Sequence, residues 1–401
     1  MRFIISLTGL VMAYLIYGFY ISQVNYSVIP PELKREHPEG YYDYRGVTNV
    51  RTELSNGSSS PVDVISEAKL AGLDFIILTD INQFDHSESI NGYHGNLLVM
   101  NEGEYSYLDS RLLHYSLEKE SLPESPGEVS VYFTDLLSQK NSDHKDSLLV
   151  LARPFNNGAT WTGPYPPGLD GIEIVNPKSI SEDAWRRSKL SVFWSFIVYP
   201  FSPRYAFLRL FREPSDELAL WDKLSSEHHT TGFGGADASA RAIPWAGALI
   251  KFPSYHTSFE ITSNHVLLNS ELTGNYAKDR QKIFTALKRG NFYVSLDILG
   301  DPRGFISKIV DKDKTYLMGE TLPYKKGLHL QASLPTKPND FFEFIVYKNG
   351  EKDFISNDQA INYEVKSPGV YRIVVRVSPT LPLPDGKKWI SWIYTNTFTI
   401  Q

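Results

Sequence analysis

The sequence predicts an α/β domain followed by an all-β unit and preceded by a membrane-length helix. Three stretches carry that reading. Phe75-Ile76-Ile77-Leu78 is an unbroken apolar run after a helix-like segment, as in a parallel-sheet strand buried on both faces. Beyond Asp311 the chain turns into short strand-like runs separated by turns. Phe3–Ser22 is 20 residues without a charge, enough to cross about 30 Å of hydrocarbon.

The first element is that apolar run. A cleaved signal peptide has a shorter apolar core and small residues before its cut. The exit here, Tyr20-Ile21-Ser22-Gln23-Val24-Asn25-Tyr26, lacks them, and its tyrosines suit a membrane interface. Residues 1–24 are expected to be a retained transmembrane signal-anchor, with a cleaved signal as the alternative. Arg2 favours a cytoplasmic amino terminus, whereas Lys34 and Arg35 oppose it. We read a single pass through an inner membrane, with the bulk of the chain on the periplasmic or extracytoplasmic side. Residues 25–43, with Pro30-Pro31, read as a juxtamembrane stalk.

The α/β part is organised around Arg45–Asn82. Gly46–Thr52 is β-prone, and Ser55-Asn56-Gly57-Ser58-Ser59-Ser60-Pro61 is loop chemistry. Ser60 is placed to cap a helix that has Pro61 at its first position. Val62, Ile65, Ala68 and Leu70 repeat at helical spacing, and Ala71-Gly72 closes the helix. The following strand ends in Thr79-Asp80-Ile81-Asn82, which puts Asp80 at its C-terminal mouth, where α/β folds place their chemistry.

These residues resemble the opening of the PHP (polymerase and histidinol phosphatase) family of metal-dependent phosphoesterases. The resemblance implies a distorted (β/α)7 barrel over residues 44–310. The family's His-x-His-Thr, Ser-Asp-Gly and Thr-Asp-His-Asn correspond to Asn49-Val50-Arg51-Thr52, Ser55-Asn56-Gly57 and Thr79-Asp80-Ile81-Asn82. Asn101-Glu102-Gly103-Glu104 matches a Gly-x-Glu motif with a bridging Glu, filled by Glu104 or Glu102; we favour Glu104. Arg111 stands where a His follows, with His114 three residues on. Ala152-Arg153-Pro154 stands for Ala-His-Pro. Glu173 and Asn176 end the next strand, and Gly234-Gly235-Ala236-Asp237-Ala238-Ser239 stands for Gly-Gly-Ser-Asp-x-His. Ile283–Val294 resembles the closing helix and strand of the CehA/McbA-like branch.

The frame matches while the histidines are missing. The inherited ligand positions are Asn49, Arg51, Ile81, Glu104, Arg111, Arg153, Asp237 and Ser239, with Asp80 and Glu173 beside them. Ile81 offers no lone pair, and guanidinium repels cations. Glu104 and Asp237 alone remain competent ligands, so no cofactor is expected; the alternative is one weakly held divalent cation. Arg51, Arg111 and Arg153 are expected to converge on Asp80, Glu104, Glu173 and Asp237 in place of metals. Three functional readings follow: a plugged site, an Arg-lined pocket for an anionic small ligand, or hydrolysis with an atypical metal site.

Arg186–Arg212 is basic at its flanks and apolar in Val192–Phe201, a stretch too short to span a bilayer. It reads either as a barrel helix pair or as an interfacial segment on anionic lipid. Residues 311–401 read as an Ig-like β-sandwich, with a hairpin at Lys348-Asn349-Gly350-Glu351.

Composition closes off other chemistries. A chain of 401 residues allows two or three domains. Net charge of -6, from 40 basic and 46 acidic residues, argues against nucleic-acid binding. With 0 Cys there are no disulfides, thiolate ligands or Cys nucleophiles. His228, His229 and His256 stand outside any ligand pattern, and no Gly-x-Ser-x-Gly, Walker or His-Glu-x-x-His motif occurs. The expected role is a membrane-anchored binding or scaffold module with a protein partner. The alternative is a membrane-tethered metal-dependent phosphoesterase.

Overall fold

The computed structural model describes residues 2–30, 40–83, 88–117, 125–139, 146–155, 160–245, 248–312 and 314–401. Pro31, Lys34 and Arg35 of the expected stalk lie outside these. In chain order the first part comprises α1 (Arg2–Ser22), β1 (Tyr42–Val50), α2 (Pro61–Leu70), β2 (Phe75–Ile81), β3 (Gly92–His94), β4 (Leu97–Tyr107) and β5 (Ser110–Ser116). Then come α3 (Pro126–Ser138), β6 (Ser147–Ala152), β7 (Gly171–Val175), α4 (Pro177–Arg187), α5 (Lys189–Val198), α6 (Pro203–Leu208), α7 (Ser215–Glu227) and β8 (Thr231–Ala238).

Local chemistry accounts for α2 and β2. Ser60 accepts a hydrogen bond from the Asp63 amide at 3.2 Å, with Pro61 at the first helical position. Gly72, at φ 70°, lets the chain leave the helix left-handed. Phe75, Ile76, Ile77 and Leu78 are all buried, as a strand covered on both faces requires.

β1, β2, β4, β5, β6, β7 and β8 pair in that order, and β8 returns to β1 through Gly235–Thr48 and Ala238–Val50. Seven strands thus close a barrel. β1–β2, β2–β4, β6–β7, β7–β8 and β8–β1 are parallel, and β5 runs antiparallel to both neighbours. The parallel strands bring residues 49–51, 80, 153, 173 and 237 to one mouth.

After the barrel come β9 (Arg241–Trp245), β10 (Ala248–Phe252), α8 (Tyr255–Ile261), β11 (Ser263–Leu268), α9 (Tyr276–Arg289) and β12 (Phe292–Ser295). The N-terminal half of β1 pairs with β11, and β11 pairs with β12. There, at the end away from the mouth, lies a buried charge network. Arg45 pairs with Asp297, and His265 sits 3.0 Å from Asp43 and 3.1 Å from Asp297 while stacking on Tyr293. Burial alone would lower the His265 pKa, but the two aspartates push it up to about 10.

The C-terminal strands are β13 (Ile306–Asp311), β14 (Lys314–Leu317), β15 (Thr321–Leu322), β16 (His329–Ser333), β17 (Phe341–Lys348), β18 (Glu351–Ser356) and β19 (Ala360–Glu364). β20 (Gly369–Ser378), β21 (Thr380–Leu381), β22 (Gly386–Lys387), β23 (Ile390–Thr395) and β24 (Phe398–Ile400) complete them. β14-β13-β16-β19 form one sheet, whereas β17, β20 and β23 extend the barrel's own sheet because β23 pairs with β12. The expected boundary at 310/311 therefore falls inside β13, and the sheet crosses it. Asn349 and Gly350, at φ 49° and 82°, form the two-residue turn between β17 and β18.

α1 is long and apolar enough to cross a membrane by length and composition, and most of it is exposed. Its last turns touch the rest of the chain. The Tyr14 hydroxyl donates to the Ile197 carbonyl at 3.0 Å, the Tyr17 ring lies 5.8 Å from Trp194, and Ile21 is buried. A Cβ on Gly18 would come within 2.5 Å of the Phe201 ring, so glycine permits that approach.

Candidate functional site

Three strand ends are bent inward by unusual backbone. Asn49, Arg153 and Asp237 have φ of 59°, 49° and 45°, a left-handed region that non-glycine residues enter at a cost of about 1–3 kcal/mol each. Asn82, just past β2, does the same at 49°. Such strain persists only where the surroundings hold it, and here it aims side chains into the barrel mouth.

Arg51 stands at the centre, fully buried. Its Nε donates to Glu104 Oε2 at 2.5 Å and its Nη1 donates to Asp237 Oδ1. Arg153 Nε lies 3.3 Å from Asp237 Oδ2, and its Nη2 lies 3.9 Å from Glu104 Oε1. Burial would raise the Asp237 carboxyl, but Arg51, Arg153 and Lys178 outweigh it and hold it well below the usual carboxylate range. The same carboxylates hold the Arg51 guanidinium charged despite its burial.

Glu173 forms a second layer. Its Oε1 accepts from Asn49 Nδ2 at 2.7 Å, and its Oε2 accepts from Asn176 Nδ2 at 2.9 Å and the Arg153 amide at 3.1 Å. Burial and the nearby charge of Asp237 push its carboxyl up to about 7. Glycine at 235 makes room for it, since a Cβ there would sit 1.8 Å from Glu173 Oε1. Asn176 also caps α4, accepting from the Lys178 and Ser179 amides at 3.0 and 3.1 Å.

The remaining expected positions separate from this cluster. Among the described residues Asp80 pairs with no arginine; it accepts from the Thr52 amide and hydroxyl, both at 2.7 Å, and from the Ser55 hydroxyl at 2.5 Å. Arg111 corrects the expected convergence. It sits on the antiparallel β5, half-exposed, and donates to the Ser106 hydroxyl. Glu102 is engaged elsewhere, with Arg280 at 2.7 Å. Ile81 ends β2 beside Glu104 in register, and the Ser239 carbonyl accepts from the Tyr255 hydroxyl at 3.1 Å. His114 packs against Phe133 and Tyr132 on the far side of β5.

Sequence reasoning missed two contributors. Tyr255 donates to the Arg51 carbonyl at 2.7 Å and so ties α8 to the end of β1. A Cβ on Gly57 would collide with both atoms of that bond, at 2.5 Å each. Lys178, half-buried in the first turn of α4, faces Asp237, Arg153 and Arg51; burial lowers its pKa while Asp237 opposes that. The Asn176-Pro177 pair after an apolar strand is the signal that marks this strand-to-helix corner.

These residues do not fit a multinuclear metal centre. Among the described residues no group of three or more His, Cys, Asp and Glu could hold a metal ion. The Arg51 guanidinium occupies the space between the two carboxylates best able to ligate, and a fixed cation there repels another. Arg51 Nη2, Arg153 Nε, Glu104 Oε1, Asp237 Oδ2 and Asn49 Oδ1 have no hydrogen-bond partner among the described residues, so the cluster keeps unused polar capacity.

No family model matches the chain. No curated protein matches it. Among solved structures, it is similar to a two-domain protein from Bacteroides vulgatus containing a PHP-like metal-dependent phosphoesterase, at 12% identity over 90% of this chain and 98% of that one, with a TM-score of 0.38. It is also similar to PsfC from Pseudomonas syringae, at 13% identity over 59% of this chain and 87% of that one, with a TM-score of 0.36.

Proposed function

We propose that this is a membrane-anchored barrel of PHP type, of the CehA/McbA-like branch, with a degenerate site, acting as a binding or scaffold module and not as a hydrolase. The C-terminal sheets form its Ig-like sandwich, and α1 is the signal-anchor of a single-pass protein with its barrel outside the cytoplasm. The ordered motifs from Asn49 to Ser239 and the seven-strand closure support the type of barrel. The observation that carries the functional reading is Arg51, buried and bonded to both Glu104 and Asp237. It supplies the charge balance that metals give elsewhere. Arg153 and Lys178, nearer the rim, are the groups left to meet an anionic ligand.

Metal analysis of the full-length chain after incubation with zinc, manganese and iron tests this, together with assays on phosphomonoesters and phosphodiesters. Substoichiometric metal and no turnover are expected. Stoichiometric metal with hydrolysis lost on Asp237→Asn would instead establish a membrane-tethered phosphoesterase.

A further inference from the structure

α5 presents three faces to three surroundings. Trp194 and Ile197 lie along α1 through the contacts with Tyr17 and Tyr14. Leu190 and Phe193 are exposed, at 82% and 60%. Val192, Ser195, Phe196 and Tyr199 line a cavity of about 330 Å³. This volume is at the small end of the roughly 300–1,000 Å³ of ligand pockets.

The cavity joins the membrane-side helix to the barrel mouth. Its far wall is Ala206, Phe207 and Leu210 around α6, with Ile261 of α8. Its mouth-side wall holds Ala236 of β8, Ser239 just past that strand, and Lys178. The lining is mostly apolar carbon; Lys178 shares its wall with Ser181 and Glu182 of α4, and Ser195, Thr257 and Ser258 add hydroxyls around the rest. The Lys178 ammonium makes no hydrogen bond or ion pair among the described residues, although the residue is half-buried. Phe196 both lines the cavity and is 47% exposed, so this wall meets the outside beside α1.

We propose that this cavity binds a single-chain anionic amphiphile, with the alkyl chain between α5, α6 and α8 and the head group on Lys178. Burial of an alkyl chain offsets the cost of drawing it from a bilayer, and one desolvated anion–ammonium contact sets its orientation. Continuity with α1 supplies the route, because an amphiphile in the outer layer of the membrane lies at the height of Leu190 and Phe193. The inference rests on the reading above for the anchor and for Lys178 as a group that meets an anion, and it is independent of whether Arg51 or a metal balances Glu104 and Asp237.

The test uses the full-length chain in phosphatidylcholine discs doped with a photoactivatable lysophosphatidic acid carrying a diazirine at the chain end. A photoactivatable free fatty acid and a neutral monoacylglycerol serve as parallel arms. Labelling of peptides containing Phe207, Leu210 or Ile261, which do not face lipid, is expected from both anionic probes or from one, which identifies the source. Lys178→Gln should cut this labelling about fivefold for the anionic probes and leave the neutral probe unchanged. Ala206→Phe, which fills the cavity, should abolish it while labelling of α1 persists. Labels confined to α1, Leu190 and Phe193, or cavity labelling insensitive to both substitutions, would overturn the proposal. Metal loading of the barrel would overturn the functional reading and leave this one standing.

Discussion

Arg51 and Glu104 meet at 2.5 Å with neither side chain reaching solvent. A buried pair of this kind is strongly coupled: removing one partner leaves the other charged and dry. Arg51→Ala should cost about 3–5 kcal/mol of stability, read by denaturant unfolding. Arg111→Ala should stay within about 0.5 kcal/mol, because its partner is a serine hydroxyl at the surface. Equal effects of the two substitutions would contradict the geometry.

Glu173 predicts a pH dependence. Its carboxyl titrates at about 7 in the fold against 4.5 for the free side chain. A raised value means that its contribution is complete below 4.5 and is lost as pH rises through about 7. Glu173→Gln should flatten the stability–pH curve across that window and stabilise the chain at pH values above it. Asn49 Oδ1, which has no partner among the described residues, can accept the new amide after a flip of the Asn49 side chain.

His265 predicts a second window. With its pKa raised from 6.5 to about 10, its contribution is complete below 6.5 and declines as pH rises towards 10. Thermal melts across this range should show a falling midpoint. His265→Gln should remove that slope and lower stability at neutral pH, since Asp43 and Asp297 would lose the imidazolium between them.

Reading α1 as an anchor predicts a difference between two truncations. Removal of residues 1–13 leaves Tyr14, Tyr17, Gly18 and Ile21 on the body of the protein, and should release the chain from carbonate-washed membranes with its melting temperature preserved. Removal through residue 24 also strips those contacts, and should lower the melting temperature. A mature amino terminus found near Gln23 by sequencing would mean that the segment is cleaved.

Much of the barrel was legible locally. The Ser60 cap, the Gly72 exit and the four buried residues of β2 follow from short-range chemistry. The positions of Arg51, Arg153, Glu104 and Asp237 were legible because each sits at a strand end in a spaced motif. Arg111 was misread because the β4–β5 hairpin runs on past the mouth: Arg111 lies opposite Ser106, two residues beyond Glu104, and turns to that hydroxyl. Nothing local announces Arg45, His265 and Asp297, which come together only when segments up to 252 residues apart meet in the fold. Lys178 was passed over because a lysine in a first helical turn is ordinarily solvated.

The pairing of β12 with β23 has a mechanical consequence. Tyr293, Val294 and Ser295 are bonded to Thr395, Tyr394 and Ile393, so the last strands of the chain hold the sheet that carries β1. A load applied between α1 and the C-terminal strands would run through this seam, across its paired backbone. Calorimetry should therefore show one endotherm for barrel and C-terminal strands together.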